Sequence, residues 1–245
     1  MAATLEIFDS SIVAVGAFNP AIFSPDWLAR RGLIGETDCA GAKERKSLMN
    51  THQVSIIETD WFVLQVLENQ FSLTSKGPVT SSLRDLAVGI LTLISQTPLI
   101  AIGLNFMGHY KFSNVAEYHK VGDTLAPKNI WEEVFSNSTL SHLGEGSQSI
   151  GLGNMTIKVQ PCKRGEIPLT RDEKNITIQQ SSKIRGDGIL LSLNDHRDLT
   201  KWDDAISTVA EYAAQIIDKD WEGCNLEALR IFERTLSIAL ASSTV

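Results

Sequence analysis

The sequence predicts an α+β fold, a mostly antiparallel sheet with a central amphipathic helix and C-terminal helices packed on one face. Three observations carry this. Between Gln53 and Thr74 apolar residues recur with period two in short runs separated by turn residues, the pattern of a hairpin meander. From Leu83 to Ile94, and again after Asp198, the period becomes that of a helix with one apolar stripe. Hairpins dominate, and the helices do not alternate regularly with the strands, which argues against a doubly wound parallel sheet.

Along the chain, Ser11 to Phe18 is rich in β-branched residues and reads as a strand ending at Asn19-Pro20. Ser24 followed by Pro25 has the form of an N-cap with proline at the first helical position, opening a short helix to Arg31. Glu36 to Asn50 is small, polar and charged without an apolar period, and reads as a long loop. Three strands follow between Gln53 and Thr74, the middle one central. Helix 83–95 begins with a capping box of Ser82 and Asp85 and is stopped by Pro98, whose ring and missing N–H forbid continuation.

Leu99 to Leu104 then reads as a buried strand that ends in polar residues at Asn105. Asn114 to Leu125 is helical, Asn129 caps a short helix through Trp131 and Phe135, and Ser141 to Gly153 is a Gly/Ser-rich loop. Met155, Ile157 and Val159 alternate with polar residues, the signature of a strand with one wet face. Ile176 and Ile178 begin another strand, and Gly186-Asp187-Gly188 turns the chain into Ile189 to Leu193. Beyond Asp198 two helical stripes are separated by Gly223, the first opened by a capping box of Thr200 and Asp203.

The 245 residues suffice for one α+β domain over 1–245, with subdivisions at 1–50, 51–198 and 199–245. Hydrophobic residues make up 43% and charged residues 21%, ordinary values for a globular chain. No apolar run reaches the roughly 20 residues of a membrane span, and the first residues lack a basic, then apolar, signal pattern. The three cysteines are far apart, so neither a disulfide framework nor a cysteine zinc site is expected. Together these features point to a cytoplasmic protein that does not engage a membrane. The formal net charge of −7 argues against nucleic-acid binding, which draws on basic surface. The basic residues Arg30, Arg31, Lys43, Arg45 and Lys46 are the one cluster such a reading would use.

Candidate chemistry centres on histidine. His109 and His196 each follow an apolar strand, in Leu104-Asn105-Phe106-Met107-Gly108-His109 and Leu193-Asn194-Asp195-His196. Were these strand ends adjacent, Asn105, His109, Asn194, Asp195 and His196 would gather at one rim, with Asp198 and Asp123 nearby. Such a rim would suit an acid/base pair or a divalent metal. Against it stands the ordinary tendency of strand ends to turn polar, and no HxxxH, HxH or HExxH spacing marks a metal site. No cofactor motif is present either: the Gly144 to Gly153 stretch lacks the Lys-Ser/Thr ending of a phosphate cradle. Trp131 and Trp202, flanked by charges, are the aromatic residues best suited to a partner surface.

Thr97-Pro98 through Gly103-Leu104-Asn105 with His109, then Leu125-Ala126-Pro127-Lys128 and Trp131, then Asn194-Asp195-His196 resemble, in that order, a sporadically distributed family of bacterial proteins of about this length. Its members have no established activity. The resemblance implies a bacterial cytoplasmic α+β protein, and sporadic distribution implies a setting in a phage-defence or toxin–antitoxin assembly. It assigns no catalytic residue. The resulting expectation is a non-enzymatic subunit that binds a protein partner or forms a homo-oligomer, with Asn105, Asn194, Trp131 and Trp202 as binding residues and neither metal nor cofactor. The alternatives are a small metal-dependent or acid/base enzyme using His109, His196 and Asp195, and a nucleic-acid-binding accessory protein.

Overall fold

At the centre of the protein two strands of 14 residues, β1 (Ala3–Gly16) and a later strand at Leu99–Phe112, run antiparallel along their whole length. The computed structural model describes residues 3–77, 81–127, 152–159, 172–180, 188–200 and 208–242. After β1 come a 3-10 turn, α1 (Pro25–Arg30), α2 (Glu36–Glu44), and the strands β2 (Met49–Asn50), β3 (Val54–Glu58), β4 (Phe62–Leu67) and β5 (Gln70–Ser75). Then follow α3 (Ser81–Leu93), β6 (Leu99–Phe112), α4 (Val115–Leu125), β7 (Asn154–Val159), β8 (Glu173–Gln180), β9 (Gly188–Asp198) and α5 (Val209–Ala241). The nine strands form one antiparallel sheet in the order β2-β3-β4-β5-β1-β6-β9-β8-β7. The α+β architecture expected from the sequence is the one observed.

Successive residues of a strand point to opposite faces, so register alone sorts the side chains. Cross-strand partners Leu64, Leu73, Ile12, Leu104 and Asp195 share one face, as do Val66, Phe71, Ala14, Ile102 and Arg197. This face is covered. Phe106 and Phe232 are buried there, and Phe106 packs against Trp221 of α5 with ring centroids 5.1 Å apart. Phe23 packs on Phe71, and its carbonyl accepts from the Ser55 hydroxyl at 2.7 Å, which brings the chain around α1 onto β3 to β5. One apolar cluster links residues from Ile12 to Ala239.

The helix boundaries follow from capping. Ser24 accepts from the Trp27 N–H at the start of α1, and Asn114 accepts from the Glu117 N–H at the start of α4. A capping box of Thr208 and Glu211 opens α5. Arg84 of α3 bonds Asp85 and lies 3.6 and 3.7 Å from Asp218 and Glu222 of α5, joining the two largest helices.

Several local expectations are corrected. Residues 36–44 are helical because Cys39 and Ala42 bury a narrow strip, too small to register as an apolar period. Ser82 lies inside α3, which starts at Ser81, and is therefore no N-cap. The strand from Leu99 does not stop at Leu104 but runs to Phe112, and β9 runs to Asp198. Gly223 does not divide the C-terminal stripe, and α5 is one helix of 33 residues. A helical glycine costs only about 1 kcal/mol, less than the packing on either side supplies. The expected helix at 129–135, the turn at 186–187 and the cap at Thr200/Asp203 fall wholly or partly outside the described residues.

Since Gly223 is exposed and an added Cβ would meet nothing within 4 Å, Gly223→Ala should stabilise the protein. Urea unfolding should show a gain of about 0.5–1 kcal/mol. Trp221→Ala, which empties the contact with Phe106, should instead cost about 3–5 kcal/mol.

Candidate functional site: the polar face of the sheet

The face opposite the helices has a different chemistry. Across it runs a row of cross-strand partners, Lys158, Asn175, Asn194, Asn105, Ser11 and Thr74, from β7 to β5. A parallel row holds Thr156, Thr177, Ser192, Met107 and Asp9, and another holds Glu173, His196, Gly103, Val13, Ser72 and Gln65. Most of these side chains are half-buried, while Thr156, Lys158 and Gln65 are exposed. Amides and hydroxyls, each able to donate and accept, make up much of these rows, interspersed with the charged Lys158, Asp9 and Glu173 and the apolar Met107 and Val13.

The Asn105–Asn194 pair sits at its middle. The Asn194 side-chain amide donates to Asn105 Oδ1, and Asn105 Nδ2 donates to the Gly103 carbonyl at 3.3 Å and the Ser11 carbonyl at 3.4 Å. Gly103 makes this possible, because a Cβ there would stand 2.8 Å from Asn194 Nδ2. Next in the row, Asn175 donates to Glu173 at 3.0 Å, while its buried Oδ1 has no partner among the described residues. Lys158 donates to Glu173 at 3.1 Å, and the Thr156 and Thr177 hydroxyls lie 3.2 Å apart.

The expected His109/His196 rim is not assembled. β6 and β9 are antiparallel, so His196 pairs with Gly103 while His109 pairs with Leu190. Six residues along β6 separate them, roughly 20 Å at strand rise. His109 is buried, with Nδ1 3.2 Å from a carboxylate oxygen of Glu6, which sits at a register shift between Leu5 and Ile7. His196 is half-buried opposite Glu173. Asp198 lies at the far end of β9, where it accepts from Thr200, and Asp123 sits on α4. Trp131 and Trp202 lie outside the described residues. Among the described residues no group of three His, Cys, Asp or Glu side chains could hold a metal.

Asp195 points the other way. It is 2% exposed beneath α5, accepts from Arg197 Nε at 2.8 Å, lies 3.6 Å from Lys174 Nζ and accepts from the Cys224 thiol at 3.1 Å. Lys174 also binds Glu227, and Arg197 lies 3.4 Å from Asp220, so the network ties β8 and β9 to α5. Burial pulls the Lys174 and Arg197 pKa values down, but bonds to Glu227 and Asp195 outweigh it and both end above their ordinary values. Burial, helped by the bond to Asp195, pushes the Cys224 thiol up to about 12. Cys224 is therefore a hydrogen-bond donor and no nucleophile near neutral pH. Asp195 is a structural anion here, joined to the fold and turned away from Asn194 and His196.

Of the basic cluster, Lys43 pairs with Asp26 at 2.6 Å and Arg45 with Asp60, while Arg30 and Arg31 border a surface pocket that also contains Asp26. Comparison with protein families finds no family model that matches this chain, and comparison with curated proteins finds no match. No described helix is long and apolar enough to cross a membrane.

The two faces predict different costs in the paired strands β6 and β9. Asp195→Ala, which removes the buried acceptor shared by Arg197, Lys174 and the Cys224 thiol while Asp220 and Glu227 still pair the two cations, should cost about 2–3 kcal/mol in a denaturant titration. Asn105→Ala, where water reaches the half-buried Asn194 amide, should cost only about 1 kcal/mol. Alkylation at pH 8 should spare Cys224 in the native chain and modify it once the chain is unfolded, as peptide mapping would read.

Proposed function

We propose that this chain is a non-enzymatic binding subunit that docks a protein partner, or a second copy of itself, on the polar sheet face centred on Asn105 and Asn194. One observation carries the reading. A sheet of nine strands buries one face under helices and presents on the other rows rich in amides and hydroxyls around the Asn105–Asn194 pair. Such rows offer many donors and acceptors that a partner could pair across an interface, which typically carries about ten direct hydrogen bonds. The dispersal of His109, Asp195 and His196 to different places and faces supports binding over acid/base chemistry. A bacterial defence or toxin–antitoxin assembly is the setting that the sequence resemblance implies.

The test uses two exposed positions on that face, Gln65→Arg and Thr156→Arg, each of which adds bulk and charge without touching the core. Native mass spectrometry of tagged chain from its source cells should show a stoichiometric protein complex or a defined oligomer for the unaltered chain. Both variants should lose most of that assembly while unfolding at the unaltered midpoint. An unaltered chain that stays monomeric and alone, or variants that assemble equally well, would sink the proposal.

A further inference from the structure

At the end of the sheet away from Asp195, a groove of about 1000 Å³ opens between the first residues of β1, Tyr110 of β6 and the C-terminal half of α5. Ala3, Thr4 and Leu5 form one wall, and Arg230, Glu233, Arg234, Leu236, Ser237, Leu240 and Ala241 form the other. The α5 wall is sorted along its axis. Arg230, Glu233 and Arg234 come first, and Leu236, Leu240 and Ala241 follow toward the C-terminus. From Arg230 to Ala241 the helix advances about 16 Å, so a polar end and an apolar end are separated by the length of a medium alkyl chain.

The floor holds an unspent donor. Tyr110 is 4% exposed, and its hydroxyl has no hydrogen-bond partner among the described residues. A buried hydroxyl without a partner is costly, which makes this atom the place where an acceptor would gain most. Burial, followed by the nearby Glu233 charge, lifts its pKa to about 12, so it is an O–H donor at neutral pH. Gly108 permits the arrangement. A Cβ there would lie 3.0 Å from the Tyr110 ring, 3.2 Å from Phe232 and 3.4 Å from Leu5, so any larger residue would crowd all three.

The charges at the polar end sum to +1 from Arg230, Arg234 and Glu233. Arg230 approaches Glu227 at 3.9 Å, and its side chain is 78% exposed. Apolar walls with a few converging polar groups are the usual build of a small-molecule site, and this volume lies within the usual range of roughly 300–1000 Å³. We propose that this groove binds one molecule of an anionic amphiphile, its carboxylate received by Tyr110, Arg230 and Arg234 and its alkyl chain lying along Leu5, Leu236 and Leu240. The site lies beneath the helices, on the opposite face from the proposed docking surface, and does not depend on it.

Isothermal titration of the full chain with sodium dodecanoate, kept below its self-association concentration, tests this. The expected result is saturable one-to-one binding that weakens by more than about tenfold with octanoate, because each buried CH₂ contributes. Arg234→Gln and Tyr110→Phe should each weaken dodecanoate binding by about tenfold, whereas Glu233→Gln should tighten it. Arg234 is exposed, so Arg234→Gln remains a fair test should Tyr110→Phe disturb folding. Absence of saturable binding, unchanged affinity in Arg234→Gln, or equal binding of dodecyltrimethylammonium would overturn the proposal. Binding seen only after residues 243–245 are removed would make the chain's own terminus the occupant and overturn it as well.

Discussion

The strict two-residue alternation of side chains across the β1–β6–β9 ladder is the constraint on which everything else depends. Once Ile12, Leu104 and Asp195 are in register, each neighbouring position in those strands is committed to a face. The apolar set must then be covered, and α3 and α5 cover it. The polar set must stay accessible, because Asn105, Asn194 and Asn175 retain more hydrogen-bonding capacity than their neighbours satisfy. A slip of one residue in β6 would turn Asn105 toward α5 and bring Leu104 and Phe106 to the polar face. The register is thus fixed by the cost of both errors at once.

Asp195 is the exception to that division, a carboxylate on the apolar face. It is tolerated because Arg197, Lys174 and Cys224 all direct donors at it. A buried ion network of this kind is weak evidence for net stability, since desolvation offsets most of the attraction. Its use is positional: it ties the outer strand β8 and the long helix α5 to the end of β9. The same helix carries Trp221 onto Phe106 and, further along, presents Arg230 and Arg234 beside Tyr110. One helix therefore closes the core, holds the ion network and forms a wall of the groove.

Much of the architecture was legible. The meander, the amphipathic helix before Pro98, the N-caps at Ser24 and Asn114 and the α+β class follow from short-range periodicity and capping chemistry. The continuation of β6 was also written in the sequence, as Leu104, Phe106, Tyr110 and Phe112 alternating with Asn105, Met107, His109 and Lys111. It was obscured because the preceding Leu99–Leu104 is apolar on both faces, so the change of pattern looked like an end. Helix α2 left almost no signal, since its buried side chains are as small as Cys39 and Ala42. The capping box of Thr208 and Glu211 was present in the sequence but masked by the earlier Thr200/Asp203 spacing.

The sequence by itself determined which segments would be strands and helices and which side chains had to be hidden, because these rest on local torsion preferences and on the period of apolar residues. It could not place His109 relative to His196, or set Asn194 against Asn105. Both depend on β6 and β9 being antiparallel neighbours, a pairing between residues about ninety positions apart that no local pattern encodes. The groove at Tyr110 has the same origin. It exists only because the tertiary fold lays the end of α5 across the start of β1, two segments from opposite ends of the chain.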